Sequence, residues 1–385
     1  MEYPLLSIFD TTLRDGEQAP GNAMTVEAKV RLGIALMSLG VNTIETGFPA
    51  AARSDFEATR RLAAQAKSTK LCAFARACRS DIQLAFEALK NAPHSQIEIL
   101  TTVSDIHLQL KRGISRSEAL AEAREAVRFA RDLGVHEVSV APEDATRADR
   151  RFLREMIETV VELGTTTMVI PDTVGACLPE EFADLIAEIR KWIGPSIRIS
   201  AHTHNDLGLA TANSLAAVLA GADECQVTLC GIGERAGNAA LEEVVAAIHS
   251  KQDVFKRKTS IDARQIPAAC GLLTTTIALP ISRSKAIIGA NAFSTAAGIH
   301  QSGMLKDPRT YEYLNPEMFG AKRTIVFARH SGRQALRAKA NMLGIAIDDS
   351  SLDEVYEELV GMDSIAVFTD QDLLSIMTRR NPTTV

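Results

Sequence analysis

Short apolar, β-rich runs alternate with longer stretches of helical spacing along the first two thirds of the chain. The runs fall at 5–11, 43–48, 71–75, 96–102, 137–141, 165–170, 197–202 and 224–229, and each precedes a helical pattern. The first helix, 26–39, shows the logic. Thr25 offers a hydroxyl to an unpaired amide of the first turn, and Ala28, Leu32, Ala35, Leu36 and Leu39 recur on one face. Gly40 follows as the residue that tolerates the left-handed C′ conformation. Eight such units in about 250 residues predict an α/β chain folded as a (β/α)8 TIM barrel. A doubly wound open sheet would carry a glycine-rich phosphate turn after an early strand. The turn after the first run reads DTTLRDGEQ instead. In a barrel, the residues just past each strand face one common mouth.

Beyond residue 250 the pattern changes. KQDVFKRKTS reads as a polar linker, a helix is predicted near 262–277, a loop-rich stretch follows, and 332–379 reads as two or three short helices, among them 352–359 and 370–377. The expected organisation is a barrel over 1–255, a linker and subdomain over 256–330, and a helical subdomain over 331–385. Hydrophobic residues at 46% and charged residues at 23% exclude a disordered chain. A net charge of −6 argues against a general nucleic-acid binder. No run of 18 apolar residues suggests a membrane span. The cysteines at 72, 78, 177, 225, 230 and 270 form no CxxC pair, and the N-terminus lacks a basic, apolar leader. Both point to reduced thiols in a cytoplasmic protein.

Candidate chemistry lies at the ends of runs one, seven and eight, which a closed barrel brings together. His202 and His204 end the seventh run at i and i+2, so both imidazoles share a face. They read either as a metal pair or as two hydrogen-bonded histidines at a strand end. Asp15 and Asn238 favour the metal. The four residues form a mixed oxygen and nitrogen set suited to Mn²⁺, Mg²⁺ or Zn²⁺ and open to substrate oxygens. Arg14 reads either as a surface partner of Glu17 or Asp10, or as a fixed cation that stabilises a developing oxyanion.

The motifs DTTLRDGEQ, TGFPA, APEDATR, IPDTVG, HTHNDLGLA, GIGERAGN, GIHQSGMLK and RHSGR resemble, in order, those of the 2-isopropylmalate synthase and homocitrate synthase family. The resemblance implies a metal-dependent Claisen condensation of acetyl-CoA with a 2-oxo acid, followed by release of CoA. It implies that Arg14 supports the oxyanion and that Glu143 and Thr173 line the oxo-acid pocket. It further implies that Glu234 lies near the acetyl group and that Asp10 sits behind the first turn. His300 and Tyr311 would belong to a segment that covers the partner's barrel mouth in a homodimer, with His300 moving a proton. His330 is expected to support that segment's fold, and His107, past the fourth run, to reach the mouth.

The fifth run reads VSVAPED, with Ser139 where homocitrate synthases resemble one another in carrying an arginine for a distal carboxylate. An apolar monocarboxylic acid such as 2-oxoisovalerate is therefore expected at Ser139, Ala141 and Glu143. Homocitrate, citramalate or another alkylmalate is the alternative product. Departures from 2-isopropylmalate synthases at Ser139, Ala141, Thr295, Ser302 and Arg329 cluster in the positions attributed to the pocket and the covering segment. Two other readings are a binding protein that keeps the barrel without catalysis, and a carboxyltransferase-type barrel of biotin enzymes. Intact Arg14, Asp15, Glu234 and His300 argue against the first, and the lack of a Met-Lys biotin site argues against the second. Roughly 50 residues follow the last motif, too few for a separate effector domain by core size, so leucine feedback is not expected. Those residues are expected to pack on the covering segment or a dimer interface.

Overall fold

A computed structural model describes residues 3–327, 331–362 and 368–380. All eight predicted runs are strands: β1 (Ser7–Asp10), β2 (Thr43–Glu45), β3 (Lys70–Arg76), β4 (Ser95–Thr102), β5 (Glu137–Glu143), β6 (Thr167–Asp172), β7 (Arg198–Thr203) and β8 (Glu224–Val227). They pair in parallel in chain order, and β8 closes on β1 with Asp10 opposite Val227. Eight helices alternate with them: α1 (Val26–Leu39), α2 (Arg53–Ala63), α3 (Arg79–Leu89), α4 (Arg116–Asp132), α5 (Arg150–Glu162), α6 (Pro179–Ile193), α7 (Ala210–Leu219) and α8 (Leu241–Ser250). The expected TIM barrel is the observed fold.

Helix α1 begins and ends as its sequence dictates. The Thr25 hydroxyl accepts from Ala28 N at 3.2 Å, and Gly40 ends the helix at φ +92°. Its buried face differs from the expected stripe, because Ala35 is only half-buried and Lys29 is fully buried.

Strand residues of one parity, such as Ile8, Ile44, Ile97, Ile99, Val138, Val140 and Ile170, are completely or almost completely buried. The other parity fills the barrel with paired polar groups. Ser7 donates to Glu224 at 2.8 Å, Gln96 donates to Ser139 at 2.9 Å, and Gln226 donates to Glu98 at 2.9 Å. Buried groups of this kind need partners, and in these three pairs one strand supplies them to another.

The chain divides into two units, Met1–Pro280 and Ile281–Val385. The first runs past the expected boundary at 255 for a physical reason. Leu6 N donates to Lys258 O, Asp262 N donates to Leu39 O, and Ile266, Ala269, Cys270 and Leu273 of the next helix are buried. The second unit holds a two-stranded parallel sheet, Ser294–Thr295 with Thr324–Ile325, and the helix Gly298–Lys306. Gln301 is buried there, and its amide donates to Thr295 O and Val326 O. The tail packs on the preceding segment as expected, with Phe368 N donating to Phe327 O and Ser302 donating to Gln334, and it also builds a core. Three helices, Arg333–Met342, Asp349–Val360 and Asp370–Arg380, enclose Leu336, Val355, Leu359, Leu373 and Met377 together with Phe327. Short connections let three narrow apolar stripes meet. No helix among the described residues is long and apolar enough to cross a membrane.

Candidate metal centre and cavity at the barrel mouth

His202 is on β7 and faces Gln226 of β8 in register. Its Nδ1 lies 2.7 Å from Gln226 Oε1, while the Gln226 amide nitrogen donates to Glu98. Gln226 Oε1 is therefore an acceptor, which assigns the proton to Nδ1 and leaves the Nε2 lone pair free. His204 follows just past the strand and bridges to Asn238. The two Nε2 atoms stand 3.1 Å apart, and Asp15 Oδ2 lies 3.5 Å from one and 3.8 Å from the other.

The donor set fits a divalent cation. Ligand atoms of Asp15, His202 and His204 all lie within 4.8 Å of one another in a buried position. Asn238 donates through Nδ2 to Asp15 Oδ1 at 3.1 Å and to Ile232 O at 3.2 Å, yet its Oδ1 is buried without a partner. Gly233 makes room for this arrangement. It sits at φ +154°, and a Cβ there would stand 2.0 Å from Asn238 Nδ2. Burial, then the neighbouring His204, pushes His202 down to about 3, so the imidazole is neutral at ordinary pH. Burial alone would raise Asp15, but the Arg14 guanidinium and the two imidazoles hold it well below the usual carboxylate range.

Arg14 is a buried residue, not a surface partner of Glu17 or Asp10. Its Nε donates to Glu45 at 2.8 Å, its Nη1 donates to Asp15 at 3.1 Å, and its guanidinium lies 4.7 Å from the Phe74 ring centroid. Burial works against its charge, and Glu45 and Asp15 more than offset that. Asp10 accepts from Thr12 N and Thr12 Oγ1, and Thr12 Oγ1 in turn accepts from Leu229 N. It thus ties the turn after β1 to the turn after β8, and burial pushes it up to about 7.

A cavity of about 320 Å³ opens beside these groups. Arg14, Asp15, His202, His204, Ala141, Glu143, Thr173 and Glu234 all line it, with an apolar wall of Phe48, Phe74, Leu100 and Val169. Two expected contacts are absent from the lining. Ser139 is fully buried deeper in the barrel, held by Gln96 and by Ile97 O. His107 lies behind Glu143, with its Nδ1 3.4 Å from that carboxylate and its Nε2 3.8 Å from Asp144. Glu143 is itself clasped by Lys111 at 2.6 and 2.8 Å.

In the second unit, His300 and Tyr311 are brought together, with ring centroids 4.2 Å apart. Both are exposed and line a cavity of about 380 Å³ with Thr295 and Met304. His330 lies outside the described residues.

The sequence reading missed Glu45, Glu98, Gln226, Phe48 and Arg235. A weak signal existed for the first two. Each is a charged residue inside an apolar run, at the parity that faces the barrel interior. Arg235, which pairs with Asp206 and donates to Thr173 O, sits within the GERAGN motif.

The HMGL-like profile matches residues 5–272, and the homocitrate synthase post-HMGL domain-like profile matches 287–365. The chain is 44% identical to the 2-isopropylmalate synthase of Methylococcus capsulatus, over 97% of this chain and 73% of that one. It is 41% identical to the 2-isopropylmalate synthase of Pyrococcus abyssi, over 96% and 77% of the two. Its fold is similar to the crystal structure of hydroxymethylglutaryl-CoA lyase from Pseudomonas aeruginosa, with a TM-score of 0.58 at 20% identity, covering 73% of this chain and 96% of that one. With that profile spanning most of its length and such relatives beside it, the chain belongs to the HMGL-like family.

Proposed function

We propose that the protein condenses acetyl-CoA with an apolar monocarboxylic 2-oxo acid, 2-oxoisovalerate above all, to give a 2-alkylmalate and CoA. The observation that carries this reading is the convergence of Asp15, His202, His204 and the unpartnered Asn238 Oδ1 beside a cavity that Phe48, Phe74, Leu100 and Val169 also line. The 2-isopropylmalate synthase relatives point to the same chemistry.

Asp15, His202, His204 and Asn238 would hold a divalent metal, with Mn²⁺ the ion we favour. When bound, it supplies Lewis acidity to the keto oxygen and carboxylate of the acid. Arg14 is fixed by Glu45 and Asp15 and offers positive charge to the alkoxide as it forms. In the reaction, the acetyl methyl group gives up a proton, its carbon bonds to the keto carbon, and the keto oxygen becomes the alkoxide and then a hydroxyl. Water next cleaves the thioester C–S bond, leaving a carboxylate and CoA thiol. Glu234 orients the acetyl group, and His300 of a partner subunit takes the methyl proton while that subunit's Tyr311 closes the site. The active enzyme is on this reading a homodimer with exchanged covering segments. The absence of disulfides among the described cysteines suits a cytoplasmic enzyme.

Phe48, Phe74, Leu100, Ala141 and Val169 suit an alkyl side chain. A distal carboxylate would find no spare cation among the described lining residues. Arg14 is paired with Glu45 and Asp15, Arg76 with Asp81, and Arg235 with Asp206. The test is thiol release from acetyl-CoA with a panel of 2-oxo acids, before and after chelation. Metal-dependent release with the branched acids is expected, and no release with any 2-oxo acid would defeat the proposal.

A further inference from the structure

Lys29 is completely buried, and it sits at the end of the first turn of α1, where the helix dipole disfavours an ammonium. The rest of the helix's buried face is apolar, with Ala28, Val30, Leu32, Leu36 and Leu39. The Lys29 Nζ instead bridges two mostly buried carboxylates, Glu17 and Asp55, the latter at 2.6 Å.

Those carboxylates belong to different loops of the barrel mouth. Glu17 lies two residues past Asp15, and its second oxygen accepts from Met24 N at 2.8 Å. Asp55 lies in the first turn of α2, and its Oδ2 accepts from Phe48 N at 2.7 Å. Gly47 is pressed against the same carboxylate at φ +148°, where a Cβ would stand 2.8 Å from Asp55 Oδ2. One loop carries Arg14 and Asp15, and the other carries Phe48 of the cavity's apolar wall.

We infer that Lys29 is a positioning residue for the reaction: one buried ammonium fixes the metal-ligand turn and the Phe48 wall relative to each other. The inference rests on the function proposed above. A buried ion cluster is a poor source of stability compared with apolar residues of similar volume. What it supplies is a set of directional bonds between the turn after β1 and the segment after β2, beyond the backbone bonds that tie Thr46 and Gly47 to β3. A substrate gripped at its carboxylate end and packed at its alkyl end depends on that spacing.

The two arms are separable. Mn²⁺ affinity measured by calorimetry without substrate reads the Glu17 arm, and KM for the 2-oxo acid reads the Asp55 arm. Glu17→Gln is expected to weaken Mn²⁺ binding about tenfold, as changes behind metal ligands do. Asp55→Asn is expected to raise KM by about tenfold, a loss of positioned contact, while leaving Mn²⁺ affinity unchanged. Lys29→Met should show both losses and a lower Tm. The triple variant Lys29→Met with Glu17→Gln and Asp55→Asn removes the stranded charges, and it should recover Tm while keeping both losses. Recovery of Tm together with wild-type Mn²⁺ affinity and KM would overturn the role. Should Lys29→Met fail to fold, the two arm variants decide alone, and wild-type values in both overturn it. A wild-type protein that neither binds Mn²⁺ nor releases CoA defeats the proposed function, and this role with it. A working wild type beside unaffected variants defeats this role only.

Discussion

Glu45 accepts from Arg14 Nε at 2.8 Å inside the barrel, where Glu45 has no exposed surface and Arg14 very little. The carboxylate fixes the angle at which the guanidinium leaves the turn after β1, and Thr11 holds the same oxygen at 2.6 Å. Glu45→Ala leaves a buried guanidinium with Asp15 as its remaining close partner. Loss of one member of a buried pair costs about 3 kcal/mol or more. A matching drop in unfolding free energy is expected in urea titrations, together with a fall in kcat of at least tenfold and little change in KM for acetyl-CoA.

Metal binding should depend on the histidine pair more than on the amide. His202→Ala is expected to abolish turnover and to weaken Mn²⁺ binding by two orders of magnitude or more, read by calorimetry on chelator-stripped protein. Asn238→Ala removes a neutral amide oxygen, a weaker ligand for such an ion than an imidazole nitrogen, and should weaken binding less. Full activity after exhaustive chelation would contradict the assignment.

Glu98 gives a pH signature. Burial, with Glu45 beside it, pushes its carboxyl up to about 8. The unfolded chain releases this proton near the ordinary glutamate value, whereas the folded chain keeps it until the higher one. The stability Glu98 contributes is thus fully present below about pH 4.5 and is lost as pH rises through 8. Glu98→Gln has no proton to release and so removes that loss. For wild type the loss grows by about 1.4 kcal/mol for every pH unit between the two values. The Tm advantage of the variant over wild type should grow between pH 5 and 8. A difference that stays flat over that range would contradict it.

The barrel was legible because outward strand positions alternate with inward ones and the turns between elements are well marked. The run at 71–75 became Lys70–Arg76, and 224–229 became Glu224–Val227, which are changes at the ends only. The run at 43–48 stopped at Glu45, since Gly47 turns the chain onto Asp55. The proposed metal ligands were legible as residue types just past runs one, seven and eight. Lys29, Glu98 and Gln226 were not. A charge at a helical or strand position reads as a solvent face, and what buries each of these is a partner far away in sequence: Asp55 for Lys29, and Glu98 and Gln226 for each other. The tail's core was also missed. Each of its helices is short, and only their meeting encloses Val355 and Leu373.

Exchange of covering segments can be tested by complementation. Inactive His202→Ala and inactive His300→Ala chains, mixed under conditions of subunit exchange, should regain up to about a quarter of wild-type activity. That figure follows from half the chains pairing as heterodimers with one intact site each, by the arithmetic of shared C2 sites. No recovery despite demonstrated exchange would place both residues in a site made by one chain.

The choice of acceptor is tested most directly by competition. The metal-loaded protein is given acetyl-CoA with equal 2-oxoisovalerate and 2-oxoglutarate, and the products are identified by mass. 2-Isopropylmalate with CoA released in equal amount is expected, at least a hundredfold over homocitrate, since a second carboxylate would enter an apolar wall unpaired. Homocitrate as the main product, or CoA release without a new carbon–carbon bond, would contradict the proposed reaction.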